Sequence, residues 1–280
     1  MKNAMQLKSI VKKISEEKKI SAQLVLQNYM LERFLERVSL SKYKDNYILK
    51  GGLLISSIVG LSSRATMDMD VTVKGYPLSE DSIRRMIEDI VSVKIDDDID
   101  FVVKGVGEIR EDDEYGGYRV SLSANYPPIS VPLKLDVTTG DKITPKEIEY
   151  KYKLMMEDRT IDVLAYNLST ILAEKLETIV ARGDQNTRPR DYYDVYILGK
   201  IKSEEINYVE LKTALNSTIK KRGSEQIIPD YKNILNTVRN SEVMKKQWNN
   251  YKKNFDYASE IEFEETCLVA EKLLDKIFKN

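Results

Sequence analysis

Lys50-Gly51-Gly52-Leu53-Leu54 and, further on, Arg64-Ala65-Thr66-Met67-Asp68-Met69-Asp70 decide how this chain of 280 residues is read. Tyr47-Ile48-Leu49-Lys50 is a strand-like run broken by Gly51-Gly52, and the apolar stretch from there to Leu61 predicts a helix. A strand–glycine–helix junction presents backbone N–H groups and the positive end of a helix dipole, a setting suited to phosphate. Asp68-Met69-Asp70-Val71-Thr72-Val73 alternates with period two and stops at Gly75-Tyr76-Pro77, which predicts a strand and its turn. Asp68 and Asp70, two apart on that strand, share a face with their Cα atoms about 7 Å apart. Like charges so close repel unless a cation bridges them. Asp136, inside Lys134-Leu135-Asp136-Val137, is a third carboxylate in a strand pattern, where an unpaired charge is costly. If its strand neighbours the first, the three Asp form an oxygen-only pocket suited to magnesium. Taken singly, a Gly-Gly is a turn and an Asp-x-Asp a solvated strand edge; their order and combination give them weight.

Outward from this centre, residues 5–40 have a helical period, with Leu24, Leu26, Met30, Phe34 and Val38 apolar and Lys, Glu and Arg between them. Residues 79–93 predict a helix capped by Ser79, with Ile83, Met86, Ile87 and Ile90 inward. Strands are expected at 101–106, 118–124, 131–138, 152–156 and 160–165. From Asn167 the pattern turns helical, at 168–182, 191–200, 204–221 and on to the C-terminus. The expected architecture is an α+β lobe over residues 1–166, N-terminal helices included, followed by an all-helical lobe over 167–280.

Composition narrows the chemistry. Forty-four Lys+Arg against 45 Asp+Glu give a net charge of -1, so no global basic field marks a nucleic-acid binder. There is no histidine, which removes Ser-His-Asp and Cys-His nucleophilic sites and His-ligated zinc. The single cysteine, Cys267, rules out an intrachain disulfide and fits a reducing compartment. The N-terminus lacks the apolar core of a signal peptide, and the longest uncharged run near it falls short of the ~20 residues of a membrane helix. The expectation is a soluble, cytoplasmic protein whose chemistry rests on carboxylates, Lys, Arg, Tyr, hydroxyls or a bound ion.

Other runs read as structural. The acidic run at 94–100 is expected to be a charged helix-to-strand turn, and that at 111–114 a hairpin tip. Tyr192, Tyr193 and Tyr196 suit helix packing, with base stacking as the sharper reading. Lys220-Lys221-Arg222 and Lys245-Lys246 suit solvated faces, with RNA contact as the alternative. On the helix over 168–182 the apolar stripe is Leu168, Leu172, Leu176 and Ile179, and Lys175 lies at its edge, where it can face a cleft between lobes. Pro189 leaves Asp191 near the start of the next helix, where a carboxylate is favoured.

In this order, KGGLL at 50–54, RATMDMD at 64–70, KLDV at 134–137, AEKLETI at 173–179 and RPRDYYD at 188–194 resemble the AbiEii/AbiGii toxin family, nucleotidyltransferase-like toxins of type IV abortive-infection toxin–antitoxin systems. The interval from Gly52 to Asp68 is longer than the norm of the wider superfamily. The resemblance implies a DNA-polymerase-β-like mixed-sheet lobe and transfer of a nucleoside monophosphate from NTP to an acceptor hydroxyl. It implies that Gly51 and Gly52 contact the triphosphate, Arg64 neutralises it, and Asp68, Asp70 and Asp136 hold two Mg2+ ions. Asp136 would also orient or deprotonate the acceptor, and Lys175 would reach the nucleotide phosphates. Asp191 would sit beside Lys175, and Lys134, Arg188 and Arg190 would join the nucleotide-binding group. The implied acceptor is the 3′ end of tRNA or another RNA, and the implied partner an antitoxin whose direct contact is not required. A protein or small-molecule acceptor, or a GTP-binding module without transfer, are the alternatives.

Overall fold

The computed structural model describes residues 3–109 and 116–279. Among these residues the strands are β1 Tyr47–Lys50, β2 Asp68–Val73, β3 Asp100–Glu108, β4 Gly117–Tyr126, β5 Ile129–Thr139, β6 Ile148–Lys153 and β7 Thr160–Ala165. The helices are α1 Ala4–Lys18, α2 Ala22–Leu40, α3 Gly51–Val59, α4 Glu80–Val91, α5 Leu168–Arg182, α6 Pro189–Ile201, α7 Tyr208–Arg222, α8 Tyr231–Asn240, α9 Glu242–Asn254 and α10 Phe263–Lys279. The chain is α+β. It divides into one unit of Met1–Asp141 with Ile148–Ala165, and a second of Lys142–Glu147 with Tyr166–Asn280.

The first unit is built on a mixed seven-stranded sheet in the order β3-β4-β5-β2-β1-β7-β6. β2 runs parallel to β5 and β1 parallel to β7, while the other neighbours are antiparallel. The period-two pattern sorts the side chains: Met69, Val71, Val120, Leu122, Leu133, Leu135 and Val137 are buried, whereas Lys134 and Arg119 on the opposite face are exposed. α2 and α4 pack against the sheet, and Phe34 of α2 meets the rings of Tyr47 and Phe101. Ser79 caps α4 as expected, and Ile83, Met86, Ile87 and Ile90 are fully buried.

One local expectation is resolved into its parts and two are corrected. The helical period of 5–40 is two helices, with Lys19 in the left-handed region at φ 54 and Ser21 capping α2 through its side chain. The strand expected at 152–156 is displaced to Ile148–Lys153. It ends where Leu154 turns back to Arg159 and the Met155 N–H is taken by the Glu32 carboxylate at 3.0 Å. The helix expected from 204 starts at Tyr208, because the Asn207 side chain accepts from the N–H groups of Val209 and Glu210.

α2 departs from the amphipathic picture, since Glu32, Arg33, Glu36 and Arg37 are all buried on it. Each is matched. Arg37 donates two bonds of 2.8 Å to Asp97 and one to the Ile99 carbonyl. Arg33 bridges Glu36 and Glu157, and Arg159 closes on Glu36 from the other side. Asp97 lies in the expected helix-to-strand turn but is buried there. Glu32, desolvated deep in the unit, has its carboxyl pushed up to about 8. The acidic run at 111–114, expected as a hairpin tip, lies outside the described residues.

The second unit is helical apart from short connections. Its interior includes Tyr192, Tyr193, Trp248, Tyr251 and Phe263, in ring contacts such as Tyr192 with Phe263 at 5.2 Å and Tyr193 with Tyr257 at 4.8 Å. Tyr192 and Tyr193 are thus core residues. Burial pushes the Cys267 thiol up to about 12, which keeps it protonated and inert. Arg222, expected on a solvated face, instead pairs with buried Glu177 and donates to Thr178 Oγ1 at 2.7 Å. No helix among the described residues is long and apolar enough to cross a membrane.

Candidate functional site

The polar face of the sheet carries the carboxylates. In the β2–β5 pair Asp70 stands directly opposite Asp136, and Asp68 opposite Lys134. The row continues on both sides, because Arg119 of β4 is opposite Asp136 and Lys50 of β1 is opposite Asp70. Directly paired residues project to one face, so Arg119, Asp136, Asp70 and Lys50 form a cross-strand row of alternating purpose: two cations flanking two anions. Lys50 extends to Thr138 Oγ1 at 2.8 Å and to the Asp141 carboxylate. Arg119 holds Asp136 side-on, Nε to Oδ1 at 2.8 Å and Nη2 to Oδ2 at 2.7 Å.

α3 leaves β1 without a side-chain cap, so its first N–H groups need another acceptor. Asp70 supplies one, accepting from the Gly52 N–H at 3.3 Å. Gly51 is obligatory at this junction for two reasons. Its φ is +65, and a Cβ there would fall 2.0 Å from Asp70 Oδ2. A Cβ on Gly52 would fall 2.6 Å from Thr66 Oγ1 and 3.2 Å from an Arg64 guanidinium nitrogen. Arg64 itself is buried and donates to the Ala65 carbonyl, so its charge lies beneath the glycine pair and not on open surface.

The donor set here is all carboxylate oxygen, which suits a hard divalent cation; Asp68 and Asp70 share one face, and Asp70 lies against the glycine pair. Among the described residues no three His, Cys, Asp or Glu side chains are gathered as a finished metal cage. Asp136, adjacent in register, is engaged by Arg119 instead.

In the second unit, Lys175 on α5 meets two carboxylates of α6. Its Nζ lies 2.5 Å from Asp191 Oδ1 and 3.0 Å from Asp194 Oδ2. Asp191 and Asp194 are three apart on one helix face, and both are buried. Pro189 opens α6 as its first residue, which sets Asp191 in the first turn. The second Asp191 oxygen, Oδ2, is buried with no hydrogen-bond partner. Arg188 receives no side-chain cap role but its N–H donates to Asn186 Oδ1 at 2.8 Å, and Arg190 is exposed. Burial pushes the Tyr192 phenol well up, with the Asp191 charge adding to it.

The sequence-derived set therefore falls into two groups: Gly51, Gly52, Arg64, Asp68, Asp70, Lys134 and Asp136 in the first unit, and Lys175, Arg188, Arg190 and Asp191 in the second. Sequence reasoning missed Arg119 and Asp194. Asp194 had a signal, since it lies three residues from Asp191 within the same helix; Arg119 had only its place in an alternating strand.

The model of the family described as nucleotidyl transferase AbiEii toxin, type IV TA system, matches residues 33–269. Among curated proteins none matches. A crystal structure of a candidate nucleotidyltransferase from H. pylori superposes with TM-score 0.51 at 18% identity, covering 93% of this chain and 98% of that one. The crystal structure of JHP933 from Helicobacter pylori gives TM-score 0.50 at 17% identity, covering 92% and 95%. These likenesses concern the fold, and the family match spans both groups of residues. The chain belongs to the AbiEii family of nucleotidyltransferase toxins of type IV toxin–antitoxin systems.

Proposed function

We propose that this chain transfers a nucleoside monophosphate from NTP to the 3′ end of tRNA or another RNA, and so arrests growth in phage abortive infection. The observation that carries the reading is the register of β2 and β5, which sets Asp70 opposite Asp136 while Gly51 lodges against Asp70. The acceptor hydroxyl oxygen attacks the α-phosphorus of the nucleotide, the bond to the β-phosphate oxygen breaks, and pyrophosphate leaves. The hydroxyl proton passes to a carboxylate, for which Asp136 is the candidate. The Gly51-Gly52 junction binds triphosphate oxygens through backbone N–H groups. Lys134 and Arg64 add positive charge in the first unit; the second carries Lys175, balanced by Asp191 and Asp194, with Arg188 and Arg190. A divalent cation held by Asp68 and Asp70, with Asp136 beside them, would supply charge neutralisation and acceptor activation, and Mg2+ suits such oxygen ligands.

The setting of this reading is the cytoplasm, and membership of a type IV TA toxin family supports an antitoxin as the functional counterpart. The test is incubation of the purified protein with labelled NTPs, Mg2+ and total RNA. Label in RNA is expected. Absence of label with every NTP overturns the reading, and label that travels with protein and survives ribonuclease moves the acceptor from RNA to protein.

A further inference from the structure

We propose that Arg119 is a built-in counter-ion for Asp136, competing with the divalent cation for this carboxylate and releasing it when the cation binds. The inference rests on the nucleotidyltransferase reading of the carboxylates. Asp70 and Asp136 are direct partners on adjacent strands, which lie about 4.8 Å apart, so with no cation between them the pair is repulsive. Arg119 occupies the next position in the same row and meets Asp136 with both arms of its fork, at 2.8 and 2.7 Å. A side-on guanidinium takes a lone pair on each oxygen, a planar match that a point charge cannot make. While it is in place, Asp136 is neutralised and its direction fixed, but the oxygens that a cation needs are engaged.

The two partners differ in how firmly they are held. The Asp136 side chain is 21% exposed and Arg119 49% exposed, so the arginine is the member whose movement leaves the core closed. Asp136 is anchored between buried Leu135 and Val137 in the centre of the sheet. A divalent cation carries twice the charge of the guanidinium and would be held by Asp68 and Asp70 as well as by Asp136. It therefore wins the competition, at the cost of the Arg119–Asp136 pair. Once displaced, Arg119 remains on the polar face, two residues along the strand from Ser121, which is the partner of Lys134. Arg119 is on this argument a positioning residue: it holds the third carboxylate ready and sets the threshold for cation uptake.

The test is Mn2+ binding to the full chain without nucleotide, read from the electron paramagnetic resonance signal of the free ion. Arg119→Gln keeps the stem and a hydrogen bond but removes the charge, and its fold is checked by circular dichroism. The expected result is Mn2+ affinity raised about three- to tenfold over the natural protein, the scale of losing a partly exposed ion pair. In an Asp136→Asn background the same substitution is expected to change nothing, since the carboxylate it competes for is gone. Equal affinity in Arg119→Gln and the natural protein, with Asp70→Asn abolishing uptake in both, overturns the proposal while leaving the metal reading intact. No Mn2+ uptake by either protein overturns the metal reading itself and the competition with it. Uptake by Arg119→Gln alone supports the competition in its strongest form.

Discussion

At the scale of single residues, Gly51 ties the backbone to the proposed chemistry. Gly60 also has positive φ, +93, but nothing within 4 Å of a would-be Cβ. Gly51→Ala and Gly60→Ala are both expected to lose at least about 1–2 kcal/mol to backbone strain. Only Gly51→Ala is expected to drive Asp70 from the Gly52 N–H and abolish transfer. Thermal melts and labelled-NTP assays of both variants check this, and a fully active Gly51→Ala would separate Asp70 from the site. Glu32 makes a second case. Its carboxyl is raised to about 8 by burial, so the folded chain holds a proton that the unfolded chain has released. That contribution is complete below the unfolded value near 4.5 and is lost as pH rises through about 8. At about 1.4 kcal/mol per unit, the window from pH 5 to 8 removes a few kcal/mol. Glu32→Gln, which keeps an acceptor for the Met155 N–H, is expected to flatten this slope and to be the more stable protein at pH 8. Urea unfolding at pH 5, 6.5 and 8 measures it.

At the scale of elements, α2 explains what the sequence could and could not disclose. Its apolar period was legible, as were β1, β2, β7 and α5, because each carries its own pattern and its own start or stop signal. The glycine pair and the Asp-x-Asp strand were legible for the same reason. The partners of buried charges were not. Arg37 and Asp97 lie sixty residues apart, and neither looks different from a solvated charge until the chain brings them together. Arg119 was invisible likewise, since only the β4–β5 register puts it across from Asp136. β6 was misplaced because its own ladder is polar and exposed, while the apolar Leu154-Met155-Met156 that follows belongs to a turn. The α2 ion pairs are testable. Arg37→Met leaves Asp97 buried without its guanidinium and is expected to cost about 3–5 kcal/mol. Arg37→Met combined with Asp97→Leu is expected to recover much of that loss, since no charge is then stranded. Chemical denaturation of the two variants decides between a pair that is needed and a pair that is merely dangerous to break.

At the scale of the whole molecule, the residues with proposed roles are divided between two units, each with its own core, so activity is the property that reports on both. Lys175 is a poor probe of the second unit. The alanine variant would remove the cation shared by the buried Asp191 and Asp194, a loss of up to about 3–5 kcal/mol that would confound any loss of transfer. Asp191→Asn is the cleaner change. It keeps the shape of the side chain, and Asp194 remains to balance Lys175 at 3.0 Å. It also removes charge from a carboxylate whose Oδ2 is already buried without a hydrogen-bond partner. The favourable interaction of a charge in the first turn of α6 is worth only about 0.3–1 kcal/mol, so the fold is expected to survive. If Asp191 serves the nucleotide by orienting Lys175, the variant melts within a few degrees of the natural protein yet neither labels RNA nor arrests growth on expression. A variant that is equally stable and still arrests growth returns Asp191 to a purely structural role and leaves the chemistry to the carboxylates of the sheet.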